Sequence, residues 1–246
     1  MVKVSVLIGI HNGQKYIKET IESILCQTYS NFEIIAVVNC TDDATIKILK
    51  DFNDERIKIY ETNICQLAFN LNYGLQVAQG EYIARIDADD VATSDRLQKQ
   101  LQCLEENNYD IIGSNITLID ENSHIIGKKI YPQADAQIRK KIYYSNPLAH
   151  PSVMYKKKIV MQNGGYINGK VSEDYDLWIR LMRDKKIKFY NIQENLTHYR
   201  IHPSQAKGNK YAYAEVAGYF LREAIYMKSL RAFMAMIICV IKAIVK

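Results

Sequence analysis

Two runs near the start of the chain, VKVSVLIGI at residues 2–10 and FEIIAVV at 32–38, are apolar almost without interruption and rich in β-branched side chains. A strand with one wet face alternates apolar and polar residues. A strand without that alternation is buried on both faces, as happens when helices cover both sides of a parallel sheet. Between the two runs, Ile17, Ile21, Ile24 and Leu25 recur at helical spacing with charged residues opposite. Strand, helix, strand is the βαβ unit.

The alternation continues. DATIKILKDF reads as a helix, IKIYE as a strand, LAFNLNYGLQVA as a helix and YIARI as a strand. SDRLQKQLQCLEEN then carries Leu97, Leu101 and Leu104 on one stripe, and YDIIGS adds a strand. The pattern predicts an α/β fold with a single, mostly parallel, Rossmann-like central sheet flanked by helices. The polar stretch 120–145 is expected to cross out of the sheet. Beyond Pro147 and Pro151 come short mixed segments: SVMYKK, the turn NGGYING, the helical DYDLWIRLMRD, KFYNI and THYRIH. They predict a mixed half built as a lid or wall against the first.

The chain's 246 residues, 48% of them hydrophobic, suffice for one large core. The expected division is a main domain over 1–225, with halves 1–115 and 116–225, followed by a tail at 226–246. The N-terminal apolar run has no small-residue cleavage site and reads as a first strand, not a signal peptide. Cysteines at 26, 40, 65, 103 and 239 form neither a CxxC pair nor a zinc spacing, so free thiols in a reducing, cytoplasmic setting are expected. The net charge of +5 is spread among acidic residues with no continuous basic and aromatic track, which excludes nucleic-acid binding as the expected function.

The tail sets Phe233, Met234, Ile237, Ile238, Ile241 and Ile244 among Lys228, Arg231, Lys242 and Lys246, and is too short and too basic for a membrane span. Three arrangements are open: an amphipathic helix in the plane of an anionic membrane, a buried helix, or an oligomer contact.

The stretch GEYIARIDADD ends a strand in three aspartates, Asp87, Asp89 and Asp90. Residues two apart in an extended segment share a face, so Asp87 and Asp89 can converge while Asp90 turns aside. Open parallel sheets place ligands at the carboxyl ends of strands. Two carboxylates there can share one hard cation, Mg²⁺ or Mn²⁺, whose remaining ligands would be phosphate oxygens. The competing reading is a solvated loop in which Ser94 or Asp95 caps the next helix. A second acidic pair, Glu173 and Asp174 in SEDYDLW, offers a general base or a helix N-terminus capped by Ser172. His150 and His202 each precede Pro-Ser and belong to no metal spacing. Phosphate or acceptor contact suits them better than metal binding, and a structural role competes.

In order and at workable spacing, VSVLIGIHNG, SILCQTYSNFEIIAVV, GEYIARIDADD with DRLQKQ, NPLAHPSVMY and SEDYDLWIRL resemble the family 2 glycosyltransferases, inverting enzymes of the GT-A fold. The likeness spans roughly residues 2–205 and points to bacterial capsular, O-antigen or exopolysaccharide enzymes. It implies a metal-dependent transfer from a nucleotide diphosphate sugar, UDP-linked, to a hydroxyl of a glycan or lipid-linked glycan at the cytoplasmic face of the inner membrane. By the resemblance, Asp87 and Asp89 are the DxD pair. The first faces ribose or the metal shell and the second ligates metal, while Asp174 is the catalytic base. Ile10, His11, Asn12, Asn39, Asn72, Arg85 and Ala88 join them around the donor, with a structural ion pair to Asp87 or Asp90 the alternative for Arg85. His150, Glu173, Trp178 and His202 are assigned to acceptor or phosphate contacts, with core packing the alternative for Trp178. The family's usual VDDGS is VVNCT here, so Val38 and Asn39 replace two acidic residues. Asn39 can still hydrogen-bond a base or ribose, and Val38 cannot. Two rivals stand beside this reading: a sugar-phosphate nucleotidyltransferase, for which GIHNGQKY is a poor phosphate loop, and a non-catalytic nucleotide-binding scaffold.

Overall fold

The computed structural model describes residues 2–167, 169–203 and 210–245. Its first half follows the predicted alternation: β1 (Val4–Ile10), α1 (Ile17–Leu25), β2 (Phe32–Asn39), α2 (Thr45–Asp51), β3 (Ile57–Thr62), α3 (Leu67–Val77) and β4 (Tyr82–Arg85). β1 pairs in parallel with β2 and β4, and β2 with β3. Every residue of β2 and β4 is buried, as their unbroken apolar runs require.

The second half comprises β5 (Val91–Ala92), α4 (Arg96–Asn107), β6 (Ile111–Ile119), β7 (Ile125–Lys129), α5 (Asp135–Lys141), β8 (Met154–Lys156), α6 (Lys157–Gln162), α7 (Glu173–Leu181) and β9 (Phe189–Arg200). Two further helices follow, α8 (Lys210–Tyr226) and α9 (Leu230–Val245). The sheet runs β3-β2-β1-β4-β8-β6-β9-β5, with β7 attached to β6. It is parallel through β4 and mixed beyond. β8 enters antiparallel to both β4 and β6, β9 lies parallel to β6, and β5 pairs antiparallel with β9.

Three local expectations are corrected. Part of the 120–145 stretch returns to the sheet, because Asp120, Asn122 and His124 close a tight turn that brings β7 back along β6. KFYNI and THYRIH are one strand, whose register against β6 shifts around Asn115 to accommodate polar residues between them. Cys40 and Cys65 form a disulfide, Cα atoms 5.8 Å apart, which replaces the expectation of five free thiols. Their sequence spacing carries no signal. The two loops meet only because β2 and β3 are neighbours.

Two apolar layers cover the sheet. One, with Ile8, Ile21, Ile34 and Leu101, lies under α1 and α4. The other runs from Leu7 and Leu71 through Trp178 and Phe189 to Phe220 and Ala235, joining the second half and both C-terminal helices in one core.

Candidate active site

The carboxyl ends of β1, β2 and β4 converge, and side chains stitch their loops together. Asn12 adopts φ 49°, a left-handed conformation that Asn tolerates better than most residues. Its Oδ1 accepts from the Asp42 amide. Gly13 N donates to Thr45 Oγ1, and Gln14 N to Asp43 Oδ2. Asp43 also accepts the Thr45 amide and is held below the usual carboxylate range by these hydrogen bonds against the cost of its burial. Asp43 is thus occupied at the start of α2. His11, exposed, places Nδ1 3.0 Å from the Asn39 carbonyl oxygen. The Cys40–Cys65 bond pins this loop from its far side.

Beyond Arg85 the chain leaves extended geometry, and Asp90 N donates to Asp87 O. Strict alternation therefore stops, and Asp90 does not turn away. Carboxylate oxygens of Asp87, Asp89 and Asp90 all lie within 4.8 Å of one another. Burial pushes Asp87 upward against the pull of Arg85. It pushes Asp90 far upward, reinforced by the charges of Asp87 and Asp89. One Asp90 oxygen accepts the Arg200 amide at 2.8 Å; the other is buried with no hydrogen-bond partner among the described residues. Three converging oxygen donors, one of them orphaned, fit a hard divalent cation.

Three arginines frame the cluster. Arg85, fully buried, donates to Asp87 Oδ1 at 2.5 Å and to the Ile86 carbonyl, so it takes the ion-pair alternative and orients Asp87. Arg96 donates to the Arg85 carbonyl and to Gln100, and burial depresses it to about 9. Arg200 escaped the sequence reading. Its side chain, 1% exposed, donates to Asp89 O, Asp120 O, Ser123 Oγ and Glu19 Oε2, tying the aspartate turn to the β6–β7 hairpin and α1. It also stacks 4.5 Å above the Tyr16 ring, which neighbours the His202 ring at 5.4 Å. The available signal was an arginine two residues before the singled-out His202, in YRIH.

The remaining predicted residues divide. His202 Nε2 lies 2.9 Å from Asp89 Oδ2, on the aspartate cluster. Ala88 is half-buried in the turn, its carbonyl accepting from Thr20. Ile10 is wholly buried in the core, so its side chain is withheld from any donor. Both amide atoms of Asn72 hydrogen-bond the Tyr166 backbone, which makes Asn72 a brace between α3 and the loop after α6. Trp178 is 0% exposed and belongs to the core, offering no face to a sugar. His150 is buried, 3.0 Å from Tyr166 Oη and 3.7 Å from Glu173 Oε1, and desolvation keeps it neutral. It supports Glu173 from inside and does not meet an acceptor.

Glu173 and Asp174 open α7. Ser172 does not cap the helix; its hydroxyl turns to Glu215. Asp95 at the start of α4 likewise bonds Thr93 and Lys99 and leaves the helix amides alone. Asp174 accepts from Asn146 Nδ2 at 2.6 Å and from the Tyr175 amide at 2.7 Å. Burial is the main cause that raises it, to about 6, with the Asp87 charge adding to the shift and the two hydrogen bonds restraining it. Glu173 rises to about 8, through burial first and the Asp174 charge second. Two adjacent carboxyls held at different protonation levels near neutrality suit proton transfer.

A parallel half-sheet with carboxylates at its strand ends and a mixed second half is the architecture of GT-A glycosyltransferases. Among solved structures the chain superposes on S. aureus TarS 1–349 in complex with UDP-GlcNAc, at TM-score 0.74 and 18% identity, covering 91% of this chain and 67% of that one. The family model for glycosyl transferase family 2 matches residues 5–164. Over 247 aligned residues the chain is 38% identical to the O-antigen biosynthesis glycosyltransferase WbnJ of Escherichia coli, covering 99% of this chain and 97% of that protein. Over 212 residues it is 28% identical to the UDP-Glc:alpha-D-GlcNAc-diphosphoundecaprenol beta-1,3-glucosyltransferase WfgD of Escherichia coli, covering 85% and 81%. The chain belongs to glycosyl transferase family 2, which sets the nucleotidyltransferase reading aside.

Proposed function

We propose that this chain is an inverting, metal-dependent hexosyltransferase that moves a sugar from a UDP-linked donor to a hydroxyl of a glycan or lipid-linked glycan during surface polysaccharide synthesis. The observation that carries the reading is the pairing of two devices. One is a cation-ready cluster of Asp87, Asp89 and Asp90; the other is a buried Asp174, raised to about 6 by burial first and by the charge of Asp87 as well. The UDP donor and lipid-linked acceptor are supported by relatives: WfgD carries both in its name, and TarS is seen with UDP-GlcNAc.

In this mechanism Asp174 takes the proton of the acceptor hydroxyl as its oxygen bonds to the anomeric carbon, and the bond from that carbon to the diphosphate oxygen breaks on the opposite face. Asn146 fixes the carboxylate's orientation, and Glu173, protonated at neutral pH, leaves Asp174 as the free base of the pair. A divalent ion held by Asp87 and Asp89, with Asp90 behind them, would offset the negative charge of the departing diphosphate. Arg85 and Arg200 keep those carboxylates converged, and His202 orients Asp89.

Asp89→Ala tests the cation. Calorimetry with UDP should show affinity falling at least ~10-fold when Mn²⁺ is present and not at all when it is absent. Equal Mn²⁺-dependent affinities would remove the metal role. The pH profile tests the base. Asp174 is active only when ionised, so kcat/KM should climb about tenfold per pH unit below about 6 and flatten above it. A profile flat from pH 5 to 7 would exclude Asp174.

A further inference from the structure

α9 is built inside out for a helix meeting water. Ala232, Ala235 and Cys239, small residues spaced i, i+3, i+7, form the face that joins the core. The opposite stripe, Leu230, Met234, Ile237, Ile241 and Ile244, carries the large aliphatic side chains, with Leu230 75% and Ile244 74% exposed. At 100° per residue the two stripes lie on opposite sides of the helix. The end of α8 and the residue after it add Ile225, Tyr226 and Met227, all exposed. An uninterrupted apolar stripe of this length needs a partner.

We propose that this face beds into a bilayer containing anionic phospholipid, with α9 lying in the membrane plane. Charge complementarity selects that occupant. From Tyr226 to Val245 the chain has Lys228, Arg231 and Lys242 and no acidic residue. Arg231, exposed, sits at the border between the two stripes, where its head can reach phosphates while its stem follows the apolar face. A groove of about 1290 Å³ at the α8–α9 turn adjoins this face; its lining combines Phe220, Leu230 and Met234 with the basic Lys140 and Lys185 and with the acidic Asp135 and Glu223, which pair with Arg139 and Arg183. No described helix is long and apolar enough to cross a membrane, and the proposed seating is in the membrane plane.

The placement also serves the transfer proposed above, and this part of the inference rests on that reading. Lys242 Nζ donates to the Tyr144 carbonyl, two residues before the Asn146 that holds Asp174. Seating α9 brings the loop behind the base to the membrane surface, within reach of an acceptor carried on a lipid.

Co-sedimentation of the full chain with phosphatidylethanolamine–phosphatidylglycerol vesicles tests the face. The wild type should pellet with them, release at high salt and ignore phosphatidylcholine vesicles. L230Q/I241Q/I244Q should weaken binding more than about 100-fold, each buried aliphatic being worth about a factor of ten. K228Q/R231Q should weaken it about 30-fold, roughly a factor of five per cation. Wild-type chain left in the supernatant beside anionic vesicles would overturn the proposal. So would a wild-type dimer that the triple variant dissolves in sedimentation velocity, since the face would then join two copies. UDP binding, measured by calorimetry on the same variants, should be unchanged. A wild type that binds vesicles but no UDP would sink the enzymatic reading and leave the membrane face standing.

Discussion

Asp174→Asn should bind UDP-sugar with affinity within a few-fold of the parent and transfer sugar about 10³-fold more slowly, in the range that loss of a general base produces. The substitution is nearly isosteric. Its side-chain oxygen can still accept from Asn146 or the Tyr175 amide, so the loop should hold its shape. What disappears is the only function the mechanism gives the residue, taking a proton. Glu173→Gln is the paired control: Glu173 rises to about 8, so at pH 7 it is already protonated and the amide copies its state. It should keep most of the rate. Single-turnover transfer separates chemistry from binding, and calorimetry reports the donor affinity. Parental rates from Asp174→Asn, or loss confined to Glu173→Gln, would reassign the base.

Arg200→Met should destabilise the fold by about 3 kcal/mol, because a buried cation is removed from acceptors that keep their need for donors. For a chain of this size that corresponds to a melting temperature lower by about 6–12 °C. The guanidinium bonds Asp89 O, Asp120 O, Ser123 Oγ and Glu19 Oε2, and none of these gains a substitute from methionine. Glu19 reaches solvent and recovers, whereas the two carbonyls lose charge-assisted bonds. Lys99→Met, which breaks exposed pairs with Glu194 and Asp95, should leave the melting temperature almost unmoved. The aspartate turn should loosen as well, so Mn²⁺-dependent UDP binding should weaken in Arg200→Met. An unchanged melting curve would mean that the sheet alone holds the end of β9.

What could be read from the chain, and what could not, follows from how local each signal is. β1, α1, β2 and β4 were legible because burial on both faces writes an unbroken apolar run and a helix writes its period. The carboxylate pairs were legible because acidic residues at a strand end stand out against such runs. Asp90 was misplaced because alternation was extended past Arg85 into a turn. Asn72 looks like a donor contact in sequence and braces the Tyr166 backbone in space, and Arg85 takes the ion pair with Asp87 over a phosphate, a choice of partners that no spacing encodes. The Cys40–Cys65 bond depends on two loops meeting across neighbouring strands. β9 was split in two because Gln193, Glu194 and Asn195 interrupt its apolar pattern where it bulges against β6.

The order of strands has a consequence for how the chain must be made. β6, IIGSNITLI, takes β8 and β7 on one edge, while its other edge is filled by β9 alone, Phe189 lying opposite Ile111. A nascent chain leaving the ribosome therefore displays a long apolar row of unpaired amides and carbonyls until Arg200 has emerged, and β5 waits beside it for the same strand. Fragments that stop short of Phe189 keep that edge open permanently and should collect in inclusion bodies, however well their first parallel strands are formed.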